Sequence, residues 1–103
     1  MIRGTTPTHI FALPFDVSNV AECMVIYAQD DTEVLHKKTD ACSMSGNELR
    51  VELTQEETLL FDCSKNVQIQ LRVLTTEGKA LATKPAIYPV HKCLNSEVLG
   101  DEN

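Results

Sequence analysis

The sequence predicts an all-β protein, an antiparallel β-sandwich of about seven or eight short strands. Apolar and polar residues alternate strictly in residues 48–53 and again in residues 67–73, which is the period of a strand with one buried and one solvated face. Turn residues recur at intervals of roughly ten residues between such segments. No stretch carries the pattern of a helix of ordinary length. The 103 residues suffice for one domain with a single core.

The first half of the chain carries the signals of four strands. HIFALPF places three large apolar groups on one face with period two, and Pro14 favours a sheet edge or a bend because it lacks an N–H. VAECMVIYAQ is rich in apolar and β-branched residues, which predicts a strand buried on both sides for much of its length. A turn at residues 30–31 joins it to TEVLHKKT as a hairpin. A short strand, ACSMS, then ends at a turn at residues 46–47.

The second half repeats the strand pattern around an acidic corner. Thr54 and Glu57 form an S/T-x-x-E capping box, which predicts one helical turn at the 54–58 corner, after which Leu59 resumes the inward pattern. TTEGKAL predicts a hairpin loop at residues 77–78, and PAIYPVHKCL predicts a last strand whose prolines favour an edge. The predicted inward face consists of Leu49, Val51, Leu53, Phe61, Val67, Ile69, Leu71 and Val73.

These elements make up one folding unit. Strand number and corner placement resemble those of immunoglobulin-like domains. We assign residues 1–96 to a single β-sandwich domain and residues 97–103 to a short polar C-terminal tail. The end NSEVLGDEN has too little apolar content to pack alone, so we expect it to fray or to be held by a neighbouring subunit.

The charge balance and the apolar pattern argue against several classes of function. Fifteen Asp and Glu residues against nine Lys and Arg give a net charge of −6, whereas binding to a phosphate backbone depends on clustered cations. A nucleic-acid mimic would also be acidic, but the negative charges here are spread through the chain. The start lacks the continuous apolar core of a signal peptide. We therefore expect no nucleic-acid partner, no membrane span and a chain that first folds in a reducing cytoplasm.

Four cysteines are isolated along the chain. Cys23, Cys42, Cys63 and Cys93 are separated by 19, 21 and 30 residues, unlike the short paired spacings of zinc sites or thioredoxin-like motifs. We predict that all four are small buried hydrophobes. A disulfide in an oxidised particle and a metal site are the alternatives, and two bridges could pair in three ways.

The sequence lacks motifs for catalysis or cofactor binding. His9, His36 and His91 have no local serine, cysteine or carboxylate motif that would organise a nucleophile. His91 and Cys93 share a strand face at a spacing of two, and we interpret them as unconnected side chains. The carboxylates around the acidic corner would bind Ca²⁺ only with several more oxygens, and no EF-hand loop is present. We predict a protein that is not an enzyme and has no cofactor or metal.

Binding through a surface is more compatible with the pattern. Gln68, Gln70 and Arg72 form a flat, polar, outward stripe on the strand VQIQLRV, which is either a solvated wall or an interface with adaptable hydrogen bonding. Together with Tyr88, one of two tyrosines, they make up a possible interface. The chain has no tryptophan, so the sequence shows no aromatic hot-spot cluster.

Four segments carry a resemblance to known proteins: FALPFDVSNVAECMVIYAQDD, VELTQEETLLFD, VQIQLRVLTTEGKALAT and KCLNSEVL. Together they resemble small proteins of about this length found in prophages and gut phages of Gram-positive bacteria. The similarity covers nearly the entire chain. Its most specific element, LTQEET followed by VQIQLRV, is also similar to the N-terminal β-domain of phage baseplate upper proteins.

The resemblance implies a structural component of a phage virion, a β-module of the tail, baseplate or head. Such a module would be assembled in the cytoplasm of the bacterial host and would pair with copies of itself or with other phage structural proteins. The family provides no catalytic residues to transfer onto this chain. The alternative is a small acidic phage-encoded cytoplasmic protein that binds and inhibits a host factor.

Overall fold

The computed structural model describes residues 1–100, which contain two antiparallel sheets and one helical turn. The strands alternate with short turns, as the recurring turn residues predict. Two single 3₁₀ turns, Val17–Asn19 and Thr39–Ala41, precede the second and fourth strands. The elements are β1 Thr8–Ala12, β2 Val20–Gln29, β3 Thr32–Lys38, β4 Cys42–Ser45, β5 Glu48–Glu52, α1 Gln55–Thr58, β6 Val67–Thr75, β7 Ala80–Ala82 and β8 Ala86–Tyr88.

The strand order is that of an immunoglobulin-like sandwich. The smaller sheet has the order β1-β5-β4, and the larger sheet has the order β3-β2-β6-β7 with β8 also paired to β6. In the nomenclature of variable-type domains this is B-E-D facing C′-C-F-G. β7 pairs with the second half of β6 and β8 with its first half, so the two short strands share one edge. The predicted fold class is therefore confirmed.

The core lies between the two sheets and is filled by every second residue of their strands. All eight residues of the predicted inward face are buried, and so are five further hydrophobic residues, one of which is Tyr27. Tyr27 is completely buried and packs edge-on against Phe61, with ring centroids 6.1 Å apart. Burying a side chain of this size contributes roughly 1.5–3 kcal/mol. The additional members are Cys23, Val25, Leu13 and Val90.

β2 differs from the prediction that both its faces are buried. Its inward residues, Cys23, Val25, Tyr27 and Gln29, are buried, whereas Ala21 and Glu22 are exposed and the other outward residues are half-buried. β2 is central in its sheet, but no second layer within residues 1–100 covers the outer side of that sheet. Hydrophobic residues on both faces therefore predicted more burial than this two-layer fold provides.

The β2–β3 hairpin turns at two aspartates. Asp30 and Asp31 have φ of 50° and 61°, the left-handed region that a two-residue type I′ turn requires. Aspartate tolerates this region better than most residues because its short side chain can hydrogen-bond locally. The turn predicted at residues 30–31 is confirmed.

The acidic corner is a capped helical turn. The Thr54 hydroxyl accepts a hydrogen bond from the Glu57 N–H at 3.2 Å, and the Glu57 carboxylate accepts one from the Thr54 N–H at 2.8 Å. The second carboxylate oxygen of Glu57 lies 2.6 Å from Lys37 Nζ on β3, which ties the corner to the larger sheet. Leu59 is half-buried, so the inward pattern resumes fully only at Phe61. The predicted capping box is confirmed.

The chain ends contact each other and the corner. Ile2 forms a parallel bridge with His91, and Leu99 exchanges two hydrogen bonds with the Gln55 side chain at 2.8 and 2.9 Å. The described part of the tail is thus held by its own chain, and residues 101–103 of the predicted tail lie outside the described residues. The predicted last strand is reduced to β8, because prolines bound it at residues 85 and 89.

Candidate protein interface

The glutamines of the predicted interface are engaged with the turns of their own sheet. Gln68 accepts a hydrogen bond from the Asp31 N–H and donates one to the Asp31 carboxylate, both at 2.8 Å. Gln70 donates to the Thr83 carbonyl at 2.8 Å. A partner would have to compete with these bonds or use the remaining lone pairs and protons.

Arg72 and Tyr88 occupy opposite sides of the larger sheet. Arg72 projects from the outer face and is exposed. Tyr88 lies directly opposite Val67 across the β6–β8 ladder, and directly opposed residues share a face. Val67 is completely buried, so Tyr88 points to the inner side, at the sheet edge, where 51% of it is exposed. The structure thus brings Gln68, Gln70 and Arg72 together and separates Tyr88 from them.

The outer face of the larger sheet is more apolar than the polar stripe indicates. Ile87 lies opposite Gln68, shares its outward face and is 61% exposed. Met24 and Ile26 on β2 lie opposite Arg72 and Gln70 and are half-buried. Period two in AIY indicates that Ile87 faces the opposite side from Ala86 and Tyr88. The pairing of β8 with β6 was needed to show that this side is the outer face of the larger sheet.

Two open clefts lie along β1, between the edges of the two sheets. One has a volume of about 380 Å³ and is lined by Ile10, Phe11 and Leu81, among others; the other has about 420 Å³ and also adjoins Ile10 and Phe11, with Tyr88 on its far side. Both are mainly apolar at the walls because Ile10 and Phe11 of β1 and the edge residues Leu81 and Tyr88 of the larger sheet line them. Sequence patterns did not predict these clefts, since they depend on how far apart the two sheet edges lie.

A histidine of β1 contacts the buried tyrosine. His9 Nδ1 lies 2.7 Å from the Tyr27 hydroxyl. Burial, with a smaller contribution from the N-terminal ammonium group, lowers the pKa of His9 below its ordinary value. Burial raises the pKa of Tyr27 far above its ordinary value, so the phenol keeps its proton. This pair is arranged as a neutral hydrogen bond within the sandwich and offers no ionised base.

The cysteines divide into two inner and two outer thiols. Cys23 is buried and Cys42 half-buried, whereas Cys63 and Cys93 are exposed, so the prediction of four buried cysteines is wrong for the latter two. Cys63 lies in the loop between α1 and β6, and Cys93 follows β8. Burial, and then the neighbouring Cys23 thiol, raises the pKa of Cys42 to about 12. All four are free thiols.

The remaining chemistry-bearing side chains are dispersed. Within residues 1–100, no group of three or more His, Cys, Asp or Glu side chains is close enough together to hold a metal ion. His36 pairs with Glu33 at 3.0 Å on β3 of the larger sheet, whereas His9 lies on β1 of the smaller sheet. None of the helical segments in the described part of the chain is long and apolar enough to cross a membrane.

Comparisons with known proteins add one weak structural similarity. No protein-family model matches the chain, and no curated protein matches it. Among solved structures, the chain is similar to the V domain of amphioxus IgVJ-C2, with a TM-score of 0.39 and 10% identity, over 88% of this chain and 95% of that one. The immunoglobulin-like assignment rests on the strand order of this chain, and nothing about function follows from the similarity.

Proposed function

We propose that the protein is a structural component of a phage virion, a β-module of the tail, baseplate or head that acts by protein–protein assembly. The sequence resemblance supplies the phage context. The module has no catalytic role in this proposal; it contributes surfaces through which copies of the chain or other structural proteins of the phage are held together in the particle.

The observation that carries the proposal is the amount of apolar surface left open. Nine large apolar side chains within residues 1–100 are exposed, from 38% for Leu74 to 96% for Leu94. Single exposed apolar residues are normal, but several here lie on sheet edges and along the open clefts rather than scattered over the surface. A small module that completes its burial in an assembly accounts for this distribution.

The polar stripe has a place in the same proposal. Arg72 is exposed on the outer face and has no ion-pair partner within residues 1–100. Neighbouring Met24 and Ile26 are half-buried, so this face combines apolar area with a free guanidinium, a pairing common at protein interfaces. We propose the outer face of the larger sheet as a contact surface towards other particle proteins.

The test is the location of the protein in infected or induced bacteria. Particles are purified on a density gradient from a host producing the phage, and the copy number of this chain relative to the major capsid protein is measured by quantitative mass spectrometry. We expect a fixed, reproducible number of copies per particle, retained after a high-salt wash. A chain absent from washed particles and recovered only in the soluble fraction would refute the virion role.

The alternative function is favoured by one observation, the net charge of −6. An acidic surface suits a basic host factor, whose capture in the cytoplasm would be weakened strongly by salt. A soluble one-to-one complex with a single host protein, reconstituted from the two purified chains and dissociated by salt, would support the inhibitor in place of the virion component.

A further inference from the structure

We infer that the free edge of β1 is the surface through which two copies of this chain pair. In this arrangement β1 of one copy lies antiparallel to β1 of the other across a two-fold axis at Ile10. The two three-stranded sheets then form one continuous sheet, in the order β4-β5-β1-β1-β5-β4. This inference deepens the proposed function, since it names the seam by which the module assembles with itself.

The backbone of β1 offers its unpaired groups in a regular pattern. The Pro7 carbonyl accepts a hydrogen bond from the Leu53 N–H, and the Leu13 N–H donates to the Asn47 carbonyl. The backbone N–H and C=O groups of the odd-numbered residues of this strand therefore point towards β5. The N–H and C=O groups of the even-numbered residues therefore face the open edge. Within residues 1–100 no strand pairs with that edge. The unpaired backbone N–H and C=O groups are those of Thr8, Ile10 and Ala12.

The other sheet edges carry features that hinder pairing, whereas the prolines next to β1, Pro7 and Pro14, lie outside its paired residues. β3 is charged along its length, with Glu33, Lys37 and Lys38. β4 has only four residues, and the edge formed by β7 and β8 is divided into two three-residue pieces by a proline-containing segment. Proteins protect edges by charge, shortness and proline. β1 is five residues long, has no charged side chain and exposes 52% of Ile10.

The pattern fits a second copy of the same strand. Pairing about Ile10 sets Ile10 opposite its own copy and Thr8 opposite Ala12 of the other chain, so each free N–H meets a free carbonyl. The side chains on the outward side of the seam are then one isoleucine, one threonine and one alanine from each strand, which pack without a clash or a buried charge. A contact of this kind is isologous, since both copies use the same surface, and it therefore yields a closed dimer.

Electrostatics favours this location for self-association. Each chain has a net charge of −6, so two copies repel each other wherever their acidic side chains meet. Thr8–Ala12 is a segment without charge. Its neighbours on the outward face of β5 are Glu52, Arg50 and Glu48, of which Arg50 and Glu48 form an ion pair at 2.8 Å, so the charges of the two copies are partly neutralised and lie one strand away from the seam. The pairing also covers the open side of the two clefts, both of which Ile10 and Phe11 line.

The experiment measures mass and backbone protection on the same samples of the whole chain. Sedimentation and light scattering over a concentration series give the oligomeric state. Amide hydrogen exchange followed by NMR gives the protection of each residue of β1. In a monomer, His9 and Phe11 are protected by β5 while Ile10 exchanges as an open amide. We expect Ile10 to become protected as the protein associates, in step with the mass.

A matched pair of variants tests the location of the seam. Ile10→Lys places like charges opposite each other at the axis, and we expect it to raise the dissociation constant by about tenfold or more. Leu60→Lys introduces the same charge at a similarly exposed apolar residue, in the loop after α1 and outside both clefts, and we expect it to leave the association unchanged. Circular dichroism establishes that each variant is folded, and the exchange data on the unaltered chain do not depend on them.

The outcomes separate this inference from the proposed function. Association with an open Ile10 amide, or association abolished by Leu60→Lys and not by Ile10→Lys, would overturn the β1 seam while leaving the virion role intact. A monomer at every concentration that gains Ile10 protection only with another purified particle protein would overturn pairing between copies and assign the edge to that protein. Absence of the chain from purified particles is a separate failure, that of the virion role.

Discussion

The contribution of one buried glutamine can be predicted in detail. Gln29 is the last residue of β2, and 7% of it is exposed. Its amide oxygen accepts a hydrogen bond from the Asp62 N–H at 2.9 Å, and its amide nitrogen donates to the Asp62 and Lys65 carbonyls at 2.7 and 3.2 Å. These three bonds attach the loop between α1 and β6 to the larger sheet.

We expect Gln29→Met to destabilise the fold substantially, because methionine has nearly the same shape but none of the three hydrogen bonds. At about 1 kcal/mol for each bond, the free energy of unfolding should fall by about 3 kcal/mol. A domain of this size loses roughly 4–8 °C of melting temperature per kcal/mol, so the melting temperature should fall by at least about 10 °C. This is a large part of the stability of a small domain, typically about 5–15 kcal/mol.

The assay is urea unfolding followed by circular dichroism, with Gln70→Met as the matched control. Gln70 is half-buried and makes one side-chain hydrogen bond, to Thr83. The same substitution there should cost about 1 kcal/mol or less. If Gln29→Met proved no more destabilising than Gln70→Met, the three bonds would not hold the loop, and burial of the glutamine would have to be explained by packing alone.

Three further predictions concern the cap, the titration of the core and the thiols. Thr54→Ala removes the cap of α1 and should lower the free energy of unfolding by about 1 kcal/mol, whereas Thr76→Ala in a loop should change it little; equal effects would contradict the capping role. The folded-state pKa of His9 is below its ordinary value of 6.5, so the free energy of unfolding should be highest above that pH and decline as the pH falls below it. His9→Gln should remove this decline in urea unfolding. A decline that persists in the variant would assign the pH dependence to another group. A thiol reagent should label Cys63 and Cys93 rapidly in the folded protein, and Cys23 and Cys42 only after unfolding. Mass spectrometry of the digested protein identifies the labelled residues. Equally fast labelling of all four thiols would contradict their placement in the structure.

Local patterns predicted the strands because their causes are local. Residues 48–53 and 67–73 alternate with period two, and a one-residue slip would exchange their buried and exposed faces, so the sequence pattern alone predicts which residues of both strands face the core. The corner after β5 was equally predictable, since Thr54 and Glu57 satisfy each other's backbone N–H groups within four residues.

The site was less predictable because it depends on neighbours from distant parts of the chain. Gln68, Gln70 and Arg72 share a face by period two alone, and they do so in the structure. No local pattern relates Tyr88 to these three residues. Its pairing with Val67, 21 residues earlier in the chain, places it on the inner side of the sheet. The sequence pattern predicts burial for the outward apolar groups of β2 as well, because composition does not tell whether a second layer covers a sheet.

Residue patterns are enough to predict the fold class, the inward residues, the capped corner and the turn at residues 30–31, since alternation, capping and backbone preference act within a few residues. The folded chain was needed to show which strands are neighbours, that two cysteines are exposed, that two apolar clefts stay open and that the edge of β1 is unpaired. Those features follow from how the two sheets are ordered and spaced, which no local pattern encodes.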